Sequence, residues 1–165
     1  MDRLGAAVIF FSLDGNTRHL AELIAEGARA ELIELTPRKE QPSGSTIKHI
    51  WGATQLSLPE EPLLEPIKQD PHDYDLLFVG TPVWSGGVAP PVRTFLRGTE
   101  FFRHRFALFA AYSGRTGRVF REFNELVRGN EILGELGVRE PLQQEDRDLR
   151  KRIEAWTAEL LKNVN

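Results

Sequence analysis

Three short stretches hold most of the residues that could do chemistry. The first is Ser12-Leu13-Asp14-Gly15-Asn16-Thr17-Arg18, which combines two hydroxyls, an amide, a carboxylate and a glycine. It follows an apolar run and precedes Leu20, Leu23, Ile24 and Ala28, which recur at helical spacing. A helix start presents unpaired N–H groups and the positive end of the helix dipole, so this turn suits an anion such as phosphate. Asn16 or Thr17 could equally do no more than cap the helix. The second stretch runs Gly80-Thr81-Pro82-Val83-Trp84-Ser85-Gly86-Gly87-Val88-Ala89-Pro90-Pro91. Its Trp84 reads as a loop indole seeking an apolar partner, either a flat aromatic ligand or the loop's own core. Gly86 and Gly87 allow positive φ and close backbone approach. The third, Ala111-Tyr112-Ser113-Gly114-Arg115-Thr116-Gly117, again sets an aromatic among glycines and small polar residues.

These stretches need elements to position them. Residues 6–11 (AAVIFF), 75–80 (DLLFVG) and 106–111 (FALFAA) are continuous apolar runs, the pattern of strands buried on both faces. Residues 31–35 (ELIEL) and 132–138 are shorter strand candidates. Helical spacing predicts helices over about 16–30, 90–97, 116–128 and 144–161, with Pro91 tolerated in a first turn and Gly129 as a C-cap. Residues 46–58 suggest a helical turn or two from Ile47, Ile50 and Trp51, which Pro59, Pro62 and Pro66 then stop. Five strands alternating with helices predict an α/β domain with a parallel sheet covered on both faces. Splitting the chain in the Pro-rich stretch would halve the sheet, so residues 1–165 read as a single domain. In such sheets ligands bind at the carboxyl ends of the strands, where strand order reverses. The three stretches follow the first, third and fourth strands. Together they describe a pocket for a flat heteroaromatic with a phosphate tail.

Composition narrows the chemistry. The 165 residues contain no Cys, which excludes disulfides, thiolate nucleophiles, Cys-zinc sites and iron–sulfur clusters. The 21 Lys+Arg against 24 Asp+Glu leave a net charge of −3, with no basic surplus for nucleic acid or anionic lipid. The run at 6–11 is too short for a membrane span or a signal core, so a cytoplasmic protein is expected. His19, His49, His72 and His104 lie in different segments without metal spacing and read as solvated or capping residues. Asp70, Asp73 and Asp75 read as turn residues.

The three stretches resemble the loops of the flavodoxin-like family of FMN-binding proteins. Ser12-Leu13-Asp14-Gly15-Asn16-Thr17 is similar to that family's phosphate loop, Ser/Thr-x-Thr-Gly-x-Thr. Gly80-Thr81-Pro82-Val83-Trp84 resembles its second flavin loop, and Tyr112-Ser113-Gly114 falls where the third belongs. The resemblance implies a doubly wound five-stranded sheet in the order 2-1-3-4-5 and, with the fifth strand uninterrupted, a short-chain member. It implies FMN as cofactor. Ser12, Asp14 (through its backbone), Gly15, Asn16 and Thr17 would hold the phosphate. Thr81, Pro82, Val83, Trp84, Ser85, Gly86, Gly87, Tyr112, Ser113 and Gly114 would surround the ring, with Trp84 stacked on it or at its edge. One departure stands out: Asp14 occupies a position where the family has Thr or Ser. A carboxylate 4 Å from a phosphate charge costs roughly 1–4 kcal/mol, depending on the local dielectric. Arg18 and Arg115 are candidates to offset it.

Function then divides between an NAD(P)H-dependent reductase of quinone-like acceptors and a one-electron carrier that docks to a redox partner protein. The mild charge, with Arg93, Arg97, Arg103, Arg105, Arg115, Arg118 and Arg121 near the second and third turns in sequence, tilts the reading to the reductase. A flavin-free binding module on the same fold is the alternative of another class. A haloacid-dehalogenase-like phosphatase would need an Asp nucleophile where Ser12 stands. No Gly-Lys pair supports a P-loop, and Gly80 and Thr81 stand where a receiver module would have its Asp. Trp51 and the Pro-rich segment after it are candidates for an acceptor site or a homo-oligomer contact.

Overall fold

A computed structural model describes residues 5–39, 48–51 and 56–164. Its parallel sheet is built from β1 (Ala6–Phe10), β2 (Glu31–Glu34), β5 (Leu76–Trp84), β7 (Arg105–Tyr112) and β8 (Glu131–Arg139), in the order β2-β1-β5-β7-β8. Counting only these five, the order is 2-1-3-4-5, as the resemblance implied. The alternation of side chains along each strand splits the core in two. Ala7, Ile9 and Phe11 pack with Val92, Phe95 and Phe123 on the face covered by α2 (Pro90–Gly98) and α3 (Val119–Leu126). Ala6, Val8 and Phe10 pack with Leu20, Ile24, Leu149 and Ile153 on the face covered by α1 (Asn16–Ala28) and α4 (Asp146–Lys162). Both faces being dry, the strands must read as unbroken apolar runs, and they do.

Two expectations fail. The segment read as helical turns forms instead an antiparallel pair, β3 (Lys48–Trp51) with β4 (Leu56–Pro59). The spacing of Ile50 and Trp51 suits either structure over so few residues, and Pro59 forbids only the helix. The side chain of Trp51 lies outside the described residues, so its proposed contact is not placed. The third sheet strand also runs well past Gly80, to Trp84. Val83 and Trp84 then pair antiparallel with β6 (Gly87–Val88) across Ser85-Gly86. Ser85 at φ 50 and Gly86 at φ 76 put both turn residues in the left-handed region, the geometry that closes a two-residue hairpin. The second stretch is therefore a strand and a tight hairpin rather than a loop.

Candidate functional site

The carboxyl ends of β1, β5, β7 and β8 converge on a cleft of about 180 Å³. Asp14 and Asn16 contribute from the first turn, Pro82 and Val83 from the end of β5, and Tyr112 and Ser113 from the end of β7. All three predicted stretches thus reach one place. A fourth wall, Glu140 and Gln143 beyond β8, escaped the sequence reading.

Each wall is held by its own chemistry. Gly15 is the N-cap of α1 at φ 95, a conformation that favours glycine. Asp14 folds back over it: Oδ1 accepts from the Asn16 N–H and Oδ2 from the Asn16 side-chain amide, both at 3.0 Å. Ser12 Oγ accepts from the Arg18 N–H at 3.1 Å. Thr17, in the first turn of α1, is 0% exposed, and its hydroxyl has no hydrogen-bond partner among the described residues. Buried polar groups are nearly always paired, so an orphan at a helix head marks a place that a ligand can complete. Asn16 Oδ1 accepts from the Leu142 N–H at 3.0 Å, which ties the fourth wall to the first.

The hairpin wall is anchored from behind. Thr81 Oγ1 accepts from the Ala89 N–H at 2.9 Å and donates to the Pro82 carbonyl at 2.8 Å, so this hydroxyl holds the chain rather than facing the cleft. Glu122 reaches from α3, taking the Val88 N–H on one oxygen and the Arg93 guanidinium on the other at 2.6 and 2.9 Å. The Gly86 carbonyl accepts from the Arg118 N–H at 2.8 Å. A Cβ at Gly117 would stand 2.6 Å from that same oxygen, so only glycine lets the third loop approach the hairpin this closely. On the far side Tyr112 O accepts from the Glu140 N–H at 2.7 Å, and Ser113 O from Arg139 Nε at 2.9 Å.

Three predicted roles change. Trp84 is no loop indole: it is 2% exposed and packs in the α2/α3 core beside Phe11, with ring centroids 6.3 Å apart. Pro82, Val83 and Tyr112 form the apolar lining instead. Arg18 does not lean toward the first turn. Its guanidinium pairs with Glu34 and lies 5.6 Å over the Phe10 ring. The arginines also do not form one cluster. Arg103 and Arg105 lie at the amino ends of the strands, Arg93 is tied to Glu122 and Arg97 to Glu61. Arg118 and Arg121 are exposed beside the hairpin, and neither forms an ion pair among the described residues.

His104 is no solvated residue either. It is half-buried between Phe101 and Phe106, at 5.3 and 5.5 Å, and burial lowers its pKa. Among the described residues no group of His, Asp or Glu is arranged to hold a metal, and no helix is long and apolar enough to cross a membrane.

The family model described as Flavodoxin matches residues 6–128, which takes in β1 through α3 and three of the four walls. The chain belongs to the flavodoxin family. Solved structures agree on the fold. A protein provisionally assigned as a flavoprotein from Bacteroides uniformis superposes with a TM-score of 0.73 at 19% identity, over 95% of this chain and 99% of that one. A flavoprotein from Lactobacillus acidophilus, solved in complex with FMN, gives 0.62 at 24% identity over 86% and 96%. A flavodoxin, WrbA-like protein from Agrobacterium tumefaciens gives 0.63 at 16% identity over 98% of each chain.

Proposed function

We propose that the protein binds FMN in this cleft and works as an NAD(P)H-dependent reductase of quinone-like acceptors. The observation that carries the cofactor is the buried, unpartnered Thr17 hydroxyl at the head of α1, in the turn that resembles the family's phosphate loop. FMN supplies the redox chemistry when bound, and the chain supplies position and electrostatics. Gly15, Asn16 and Thr17 bring helix-head N–H groups, and Ser12 and Thr17 bring hydroxyls, to the phosphate. Pro82, Val83 and Tyr112 exclude water from the ring, while backbone groups of Ser85, Gly86, Gly87, Ser113 and Gly114 hydrogen-bond its polar edge. No side chain is required as a general acid or base.

The reductase half of the proposal rests on Arg118 and Arg121. Two guanidinium groups beside the hairpin that form no ion pair among the described residues suit the phosphates of a nicotinamide nucleotide better than a basic protein partner. The test has two stages. Purified protein is expected to show flavin absorption in the visible range and to release, on denaturation, a flavin with the mass of FMN. Protein that stays colourless and takes up no added FMN refutes the cofactor. Oxidation of NADH or NADPH that depends on a quinone then supports the reductase. A loaded protein that oxidises neither, yet accepts single electrons from a reductase protein, is a carrier.

A further inference from the structure

We infer that Asp14 is an internal anion that competes with the flavin phosphate for the head of α1, so that the protein distinguishes only weakly between FMN and unphosphorylated riboflavin. This rests on the flavin reading above and goes on to say what the site selects.

The Asn16 and Arg18 donors at the head of α1 are already engaged. Both Asp14 oxygens hold Asn16, one through its backbone N–H and one through its side-chain amide. The amide cannot turn away freely, because its oxygen accepts from the Leu142 N–H. Ser12 Oγ already accepts the Arg18 N–H. A carboxylate on helix-head N–H groups satisfies the same dipole and the same donors as a phosphate oxygen would. An arriving phosphate finds the buried Thr17 hydroxyl without a partner among the described residues, but must displace Asp14 to gain the two N–H donors of Asn16.

Charge points the same way. Asp14 is exposed and can swing outward, but it stays tethered beside the phosphate it has made way for. Glu140 places a second carboxylate on the cleft. Of the two arginines expected to offset Asp14, Arg18 is committed to Glu34, while Arg115 forms no ion pair among the described residues; Arg139 is committed to the Ser113 carbonyl and, at 3.8 Å, to Glu140. The phosphate thus trades one anion for another at the helix head and adds repulsion. Contacts to the ring, made by Pro82, Val83 and Tyr112, are untouched by this exchange.

The experiment measures dissociation constants of FMN and of riboflavin, by flavin fluorescence, for the wild-type chain, Asp14→Asn and Asp14→Thr. Asparagine removes the charge and keeps an oxygen for the Asn16 N–H; threonine removes the charge and that reach. Wild type is expected to prefer FMN by less than about tenfold, or ~1.4 kcal/mol. Both variants are expected to raise that preference at least about tenfold, with riboflavin affinity unchanged. In parallel, inorganic phosphate is expected to raise the melting temperature of both variants and leave wild type where it was. An FMN-to-riboflavin ratio that is the same in all three proteins overturns the inference, even though FMN binds and the cofactor reading stands. If neither flavin binds any of the three, the cofactor reading falls, and the phosphate arm decides alone. Stabilisation of the variants only supports Asp14 as the competitor, and no stabilisation overturns it.

Discussion

The two ends of the parallel sheet solve the same problem differently. The larger hollow, about 610 Å³, lies not at the family's site but at the amino ends of β5, β7 and β8, lined by His72, Tyr74, His104 and Asn130 among others. There the polar groups link one loop to the next. His72 contacts Asp70 and, through its other ring nitrogen, the Glu100 carbonyl, both at 2.8 Å. Asn130 accepts from the His104 N–H at 2.8 Å and donates to the Val127 and Phe101 carbonyls. The Tyr74 hydroxyl donates to Glu31, and its pKa is pushed up to about 12, first by burial and then by that carboxylate. At the carboxyl ends bonds within a wall (Asp14 to Asn16, Ser12 to Arg18, Thr81 to its own hairpin) stand beside bonds that tie neighbouring walls, Asn16 to Leu142, Gly86 to Arg118 and Tyr112 to Glu140. One end is stapled across its loops. The other keeps a cleft between its tied walls, and the buried Thr17 hydroxyl has no partner among the described residues. A buried polar atom without a partner among the described residues sits at each end, Thr17 Oγ1 at a helix head and His104 Nε2 between Phe101 and Phe106, so the anion-binding setting of the first, not volume, separates a binding site from a hollow.

The largest expected effect tests what holds the hairpin wall. Glu122 and Arg93 are 17% and 11% exposed, and two guanidinium N–H groups converge on one Glu122 oxygen. Glu122→Ala strands the guanidinium on the Val88 and Glu60 carbonyls, at 3.1 and 3.4 Å, and frees the Val88 N–H. Removing one partner of a buried pair costs about 3 kcal/mol, and urea unfolding measures it. Flavin affinity is expected to fall as well, because the hairpin loses its brace. A cost below about 1 kcal/mol would mean that the turn, not the ion pair, sets the hairpin.

A smaller effect separates stability from binding. Thr17→Val removes a buried hydroxyl that has no partner among the described residues. Stability is expected to hold or rise by up to about 1 kcal/mol, since no hydrogen bond is lost and a desolvated group is removed. FMN affinity is expected to drop about fivefold, near 1 kcal/mol, with riboflavin unaffected. Loss of stability in the same variant would show that the hydroxyl is already spent within the fold, and the contrast between the two ends would go.

Much of this was legible beforehand, for definable reasons. Strands dry on both faces must be continuously apolar, so β1, β5 and β7 stood out, and glycine-rich turns after them marked the cleft. The end of β5 did not, because Thr81-Pro82 reads as a breaker. Pro82 is tolerated there because β1 ends opposite Gly80, leaving β5 unpaired on that side while Pro82 still aligns with Ala111 on β7. Trp84 was misplaced with it. Ser85-Gly86 between short apolar pairs was the hairpin signal that would have turned the indole inward toward Phe11. Asp14 was visible as a departure, and its tendency to accept from the backbone two residues on was available from its type. Glu140 and Gln143 had no local signature. They matter only because β8 ends beside Tyr112, which is a fact of pairing and not of spacing.

The smallest effect probes whether the ends are independent. Burial, and then repulsion from His72, lowers the pKa of His104. The unfolded chain therefore binds this proton more readily. The stability contributed is full above the ordinary value of 6.5 and is lost as pH falls through it toward the folded value. His72 has the opposite sign: the Glu100 carbonyl, then Asp70, raise its pKa, so its contribution is full below 6.5 and is lost as pH rises through the folded value. The two partly cancel near neutrality. His104→Phe removes the acid-labile half, so the variant is expected to gain on wild type as pH falls from about 7.5 to about 5.5, by less than about 1 kcal/mol because the ring is half-exposed. Melting temperatures taken in steps across that range would decide, and parallel curves for the two proteins would remove His104 from the account. FMN affinity at any one pH is expected to match wild type. If it does not, the coupling runs along β7, which begins next to His104 and ends at Tyr112 on the cleft, and the two ends would have to be treated as one device.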